Sequence, residues 1–115
     1  MTDIQTPPVA EGDILWQADS DRLAGSNITR YMAWLADRGH RFDGYWDLWQ
    51  WSVDDPAAFW LSIWDYFEIL HDGEIDAVMT ADPMPRTRWF TGTGLNYAEH
   101  VLRHETTGDP NRPML

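Results

Sequence analysis

His100 and His104 stand four residues apart, flanked by Glu99 and Glu105, and that spacing on a helix puts two imidazoles on one face, as metal ligands stand. The order His-Val-Leu-Arg-His lacks the glutamate that follows the first histidine in zinc-protease motifs, and no third ligand is apparent. Histidines favoured by the dipole at the end of a helix are the simpler reading. Thr91-Gly92-Thr93-Gly94 looks like a loop that cradles phosphate ahead of a helix. A Walker-type loop needs lysine and then serine or threonine after its last glycine, whereas this one continues Leu95-Asn96, so a turn allowing close backbone passage is favoured. Asp54-Asp55 and Asp19 with Asp21 offer carboxylates for acid–base work, but both sets lie where helices are expected to start and where such groups cap free N–H donors. Arg86 and Arg88 beside Trp89 could hold an anionic ligand or stack on a base; in an acidic chain the expectation is pairing with nearby carboxylates.

The composition narrows these options. Among 115 residues the cationic ones number 8, all arginine, against 19 acidic ones, for a net charge of −11. That balance disfavours a grip on nucleic-acid phosphates or on anionic lipid. With no lysine, no phosphate-loop lysine, Schiff base or adenylation lysine can be assembled from this chain. Cysteine is also absent, which leaves no disulfide framework or thiolate zinc site and fits a reducing compartment. No apolar run approaches the roughly 18–20 residues of a membrane span, and the acidic, proline-bearing N-terminus is unlike a secretory signal. A cytoplasmic protein of one-domain size is expected, with enough chain to bury about two-thirds of its unfolded surface.

The elements that must carry these residues read as follows. Residues 1–13 form a polar arm without periodicity. A first helix opens at Ser20 or Asp21, carries Ala24, Ile28, Tyr31 and Leu35 inward, and stops at Gly39 after Arg38. Asp43 caps a second helix through about Trp51. Asp55 caps a third with Pro56 at its first position, running to about Leu70, with Gly73 beyond as the stop. On that helix Ser62, Asp65 and Glu68 form the polar strip. Ile75 to Met79 is a short extended piece, Pro83 and Pro85 enforce a loop, and Trp89-Phe90 is a brief strand. Asn96, with Glu99 three residues on, opens a last helix through about Arg103. The expected class is mainly α: three to four helices, irregular loops, and at most a short strand near Trp89-Phe90.

Between Tyr45 and Phe67 the chain concentrates Tyr45, Trp46, Trp49, Trp51, Phe59, Trp60, Trp64, Tyr66 and Phe67, more aromatic surface than one amphipathic face requires. An internal core, a sugar-stacking surface and a docking face for a body outside the chain are the three readings. A near-continuous helical distribution argues against sugar stacking, and core and docking remain open.

Three stretches together resemble the N-terminal region of the acetoacetyl-CoA synthetases, within the adenylate-forming acid–thiol ligases: Ser26 to Leu35, Tyr45 to Trp60, and Arg88 to Leu102. The pattern Trp89-Phe90-x-Gly92-x-x-Leu95-Asn96 is shared with acetyl- and propionyl-CoA synthetases, while Trp49 to Asp55 and Asn96 to Glu99 look like the acetoacetate branch. Thr93-Gly94 departs from the small residues such as glycine and alanine expected there. The resemblance covers roughly Leu15 to His104. It implies a much longer parent enzyme that joins acetoacetate to CoA through an acyl-adenylate, using ATP, Mg2+ and CoA. The family's nucleotide loop and adenylation lysine lie beyond this region. No catalytic, cofactor-binding or metal residue can therefore be carried over, and this chain is expected to be inert by itself.

The resemblance implies a helical N-terminal domain at 14–104 of a larger α/β enzyme, followed by a linker at 105–115. Because Met114-Leu115 begins an apolar run, the polypeptide is expected to continue. The partner implied is the adenylation domain of the same polypeptide, met through a docking face of Trp46, Trp49, Trp51, Trp60, Trp64, Trp89 and Phe90, with self-association where that face is uncovered. A free-standing helical interaction module is the alternative.

Overall fold

The computed structural model describes residues 8–103 and Gly108. Its elements are α1 (Ser20–Ala24), α2 (Asn27–Ala36), α3 (Tyr45–Asp54), α4 (Pro56–Tyr66), β1 (Ala77–Met79), β2 (Trp89–Thr91) and α5 (Tyr97–Leu102). His104 and all of the expected linker except Gly108 lie outside the described residues, as does the arm before Pro8. Within the arm, Ala10 donates its N–H to Asp13 Oδ2 at 2.7 Å and a turn closes over Gly12.

The expected first helix is two helices. Asp19, one residue ahead of the anticipated cap, accepts the Arg22 N–H at 2.8 Å and starts α1. Gly25 ends it, and Ser26 restarts the chain by accepting the Thr29 N–H at 3.2 Å. Carbonyls freed at the break find side chains: Thr29 Oγ1 donates to Leu23 O at 2.6 Å and Arg30 Nη2 to Gly25 O at 2.7 Å. This accounting is what makes an interruption between good helix formers affordable. The break also divides the anticipated apolar stripe. Tyr31 and Leu35 are buried, whereas Ile28 is exposed and Ala24 rides on the other helix. The expected stop holds. His40 N–H reaches Leu35 O at 3.0 Å and Gly39 N–H reaches Ala36 O at 3.1 Å, a Schellman closure with Gly39 at φ 91°.

Two further boundaries differ from expectation. Gly44, not Asp43, is the N-cap of α3, and the side-chain bond runs the other way: Asp47 Oδ2 accepts the Asp43 N–H at 3.2 Å. The helix continues to Asp54. Asp55 then accepts the Ala58 N–H at 3.0 Å with Pro56 in the first turn, the restart anticipated from sequence. α4 stops at Tyr66, short of Leu70, because Glu68 takes the left-handed conformation at φ 48° and a second Schellman closure forms, with Ile69 N–H on Trp64 O and Glu68 N–H on Asp65 O. Gly73 therefore plays a different part, described below.

The strand expectation was one strand too few. β1 and β2 pair antiparallel with Ala77 opposite Thr91 and Met79 opposite Trp89, and an isolated bridge joins Asp72 to Gly94. Thr80 extends the ladder by donating its N–H to Arg88 O at 2.9 Å.

The interior is small. Tyr31, Leu35 and Leu48 form its centre, ringed by partly buried side chains that include Trp34, Phe42, Trp51, Phe59 and Tyr66. Ser62, expected on the polar strip, faces α2 instead. Its hydroxyl donates to Phe59 O at 2.6 Å, so the Tyr31 phenol must be the donor in the 2.5 Å bond to Ser62 Oγ. Burial pushes the Tyr31 phenol above its ordinary pKa, and the bond to Ser62 partly offsets that rise. On the other side of α4, Trp64 is buried with its ring stacked on Phe90 at 4.2 Å and edge-on to His71 at 4.9 Å.

Candidate docking interface

α3 carries two apolar stripes. Leu48 faces the core, with Trp51 and Ser52, three and four positions further on, half-buried beside it. Trp46, Trp49 and Val53 recur at offsets of three and four on a second face and are 73%, 45% and 54% exposed. The spacing that makes a buried helical stripe thus occurs twice, and the chain covers only one of them. Tyr45, Trp46 and Trp49 meet edge-on, with centroids 5.2 and 6.1 Å apart. Next to them an open apolar groove of about 340 Å3 runs between α2, α3 and α4, lined by Ile28, Tyr45, Leu48, Trp49, Phe59 and Ile63 among others. Trp49 belongs to both stripe and groove, and Tyr45 in the groove meets Trp46 of the stripe, so the two form one surface.

The candidate docking residues therefore separate. Trp46, Trp49, Trp60 and Trp89 are exposed. Trp60 and Trp89 form a second patch, edge-on at 6.2 Å. Trp51 is half-buried among His40, Phe42 and Phe59. Trp64 and Phe90 belong to the chain's own interior, where their stacking leaves Trp64 only 7% exposed. Trp16 and its neighbours Ile14 and Leu15 are also exposed, on the segment before α1. The sequence reading missed these three because a short apolar run without periodicity carries no signal of its own.

The residues with catalytic potential are occupied structurally. In the Thr91–Gly94 loop, Thr93 N–H bonds Phe90 O and Gly94 N–H bonds Asp72 O. Gly92 sits at φ 87°, and a Cβ there would fall 2.4 Å from Glu74 O and 2.7 Å from Asp76 Oδ2; one on Gly73 would lie 2.3 Å from Gly92 O. Two glycines pass back to back, as the turn reading anticipated. With spoken-for amides and a carboxylate at its side, the loop does not fit a phosphate. His100 Nδ1 accepts the Leu70 N–H at 3.2 Å, and Arg103 donates to Glu68 O and Phe67 O at 2.5 and 2.6 Å. One turn of α5 thereby closes the exposed backbone at the end of α4. Among the described residues no three His, Asp or Glu side chains converge as metal ligands. Asp19 and Asp55 are helix caps, and Asp54 accepts from Gln50 Nε2 at 2.9 Å. Arg86 and Arg88, expected to pair with carboxylates, form no ion pair among the described residues; Arg22 with Asp19 does, at 3.8 Å. No helix among the described residues is long and apolar enough to cross a membrane.

Comparison with known proteins places this arrangement. The family model described as the acetyl-coenzyme A synthetase N-terminus matches residues 45–101. Acetoacetyl-CoA synthetase of Gallus gallus is 36% identical over 86% of this chain, and that of Rhizobium meliloti (strain 1021) 30% identical over 83%. Malonamoyl-CoA synthetase of Penicillium aethiopicum is 35% identical over 84%. The solved acetoacetyl-CoA synthetase from Streptomyces lividans superposes with a TM-score of 0.77 at 38% identity over 85% of this chain. The chain spans about 15% of the length of the acetoacetyl-CoA relatives it matches, and 13% of the malonamoyl-CoA one. With residues 45–101 matching the acetyl-coenzyme A synthetase N-terminus and its fold shared with a solved acetoacetyl-CoA synthetase, the chain corresponds to the N-terminal region of the acetoacetyl-CoA synthetases.

Proposed function

We propose that this chain is the N-terminal docking domain, about residues 14–104, of a cytoplasmic acetoacetate–CoA ligase. The parent converts acetoacetate, ATP and CoA to acetoacetyl-CoA, AMP and pyrophosphate with Mg2+, and residues 105–115 lead toward its adenylation domain. The chain alone does not perform this reaction. The observation that carries the reading is the second stripe of α3, Trp46, Trp49 and Val53, left uncovered in a segment that amounts to 15% of its relatives. Exposed tryptophans beside a groove are what an interface core offers before its partner is added. Acyl choice rests on residues elsewhere in the parent, because relatives named for acetoacetyl and for malonamoyl groups match this region almost equally, at 36% and 35%. Where the face stays uncovered, the chain is expected to self-associate.

The test is a chimera in which this chain replaces the matching segment of the Streptomyces lividans enzyme. Acetoacetyl-CoA formation from acetoacetate, ATP and CoA is expected. A folded chimera without that activity overturns the docking reading, and ATP–pyrophosphate exchange by the isolated chain overturns its inertness.

A further inference from the structure

Ile14, Leu15 and Trp16 follow one another in the segment that leads into α1, and they are 80%, 76% and 69% exposed. Single exposed apolar side chains are ordinary on a protein surface, whereas three large ones in a row are not. The segment is held at both ends. Ahead of it a turn closes, with Asp13 N–H on Ala10 O at 3.2 Å and Ala10 N–H on Asp13 Oδ2 at 2.7 Å; behind it Asp19 caps α1. Between these points the chain forms neither helix nor turn nor strand, and residues 14–18 make no hydrogen bond to any described residue. Side chains and backbone alike are left without a partner among the described residues.

The form of the segment limits what can cover it. Without a helical turn to gather them on one face, neighbouring side chains fan to different sides of the chain. A flat surface laid against one side leaves the others wet, whereas a cleft with two apolar walls takes all three. The segment also falls inside the region shared with relatives: acetoacetyl-CoA synthetase of Danio rerio, 31% identical, matches 90% of this chain, a span that must include residues 14–16. This chain amounts to 16% of that enzyme, so most of the polypeptide that could enclose the segment lies outside it.

We propose that residues 14–16 are an insertion arm, and that its occupied site is an apolar cleft on the body of the parent polypeptide, closed around Leu15 and Trp16. An indole carries roughly 150–250 Å2 of surface into such a site, and its ring is rigid enough to act as an anchor. The inference rests on the docking reading only in taking the parent as the partner, and it concerns a different surface from the α3 stripe.

The experiment measures amide hydrogen exchange at residues 14–17 in the isolated 115-residue chain and in the chimera. Fast exchange is expected in the isolated chain, and exchange slower by about tenfold or more in the chimera. L15S/W16S is expected to leave the thermal midpoint of the isolated chain unchanged and to lower that of the chimera by several degrees. Leu15→Ile with Trp16→Phe should recover part of the loss, because apolar surface is restored. Equally fast exchange in a folded chimera overturns the arm and, where that chimera forms acetoacetyl-CoA, leaves the α3 docking reading standing. Slow exchange already in the isolated chain also overturns it: the arm then closes on the chain's own groove or, where protection grows with concentration, on a second copy. Equal destabilisation of isolated chain and chimera by L15S/W16S counts the same way. If the chimera does not fold, exchange at the aligned residues of the Danio rerio enzyme decides by the same criterion.

Discussion

Two aromatic regions on either side of α4 and α3 have the same chemistry and opposite fates. Trp64 is 7% exposed, closed over by Phe90 and His71, while Trp46 on α3 is 73% exposed with only Tyr45 and Trp49 for company. The first region is covered because a hairpin folds back from residues 77–91 onto α4. Nothing in the described chain folds back onto the second. An indole stripe is therefore a demand for cover, and the fold decides whether the same chain meets it.

The comparison is tested most severely at Trp64. Replacing it with alanine removes the stacked pair and leaves a cavity, and a loss of roughly 3–5 kcal/mol is expected in denaturant unfolding of the isolated chain. If Trp64→Ala unfolds no more readily than Trp46→Ala, the inner and outer regions are not distinct. Next comes Gly92→Ala, which places a Cβ 2.4 Å from Glu74 O at a left-handed φ. It should cost roughly 2 kcal/mol or more and loosen the hairpin that covers Trp64, seen as faster amide exchange at Ala77 to Met79.

Tyr31→Phe sharpens the boundary at the inner edge. It removes the donor to Ser62 and should cost about 1 kcal/mol. Because burial raises the folded-state pKa of this phenol, its contribution is complete below the ordinary tyrosine value near 10 and is lost as the pH rises through the folded-state value. Unfolding midpoints should fall more steeply above about pH 10 in the parent chain than in Tyr31→Phe. The smallest stability effect belongs to the outer stripe: Trp46→Ala with Trp49→Ala should change the isolated chain by about 0.5 kcal/mol or less each. The same pair should reduce hydrophobic-dye binding and self-association, and a dye-silent monomeric parent chain would count against an uncovered face.

Much of the local structure was legible. Asp55 before Pro56, Asn96, whose Oδ1 accepts the Glu99 N–H at 3.2 Å to start α5, and Gly39 after Arg38 were read correctly, because caps and left-handed turns are settled by a few neighbouring residues. The errors fell where local signals compete. Ser26 looked like an interior residue of one long helix, yet its hydroxyl reaches Thr29 and restarts the chain after Gly25. Glu68 ended α4 in a conformation that usually favours glycine, held by its own Schellman bonds and by Arg103 donating to its carbonyl from 35 residues away. His100 resembled half of a metal site until its ring nitrogen proved to accept the Leu70 N–H, a contact across 30 residues.

The sequence by itself determined the caps at Asp55 and Asn96 and the stop at Gly39, that the composition holds no lysine for adenylation chemistry, and which family the chain resembles. Those properties are carried by short-range geometry or by residue identity alone. Only the tertiary structure decided that Ser62 turns inward to Tyr31, that Gly73 and Gly92 pass without side chains, and that Trp64 and Phe90 are interior while Trp46, Trp49, Trp60 and Trp89 remain outside. Burial is a property of what packs against a side chain, and two tryptophans on neighbouring helices differ in that respect only after the chain has folded around one of them.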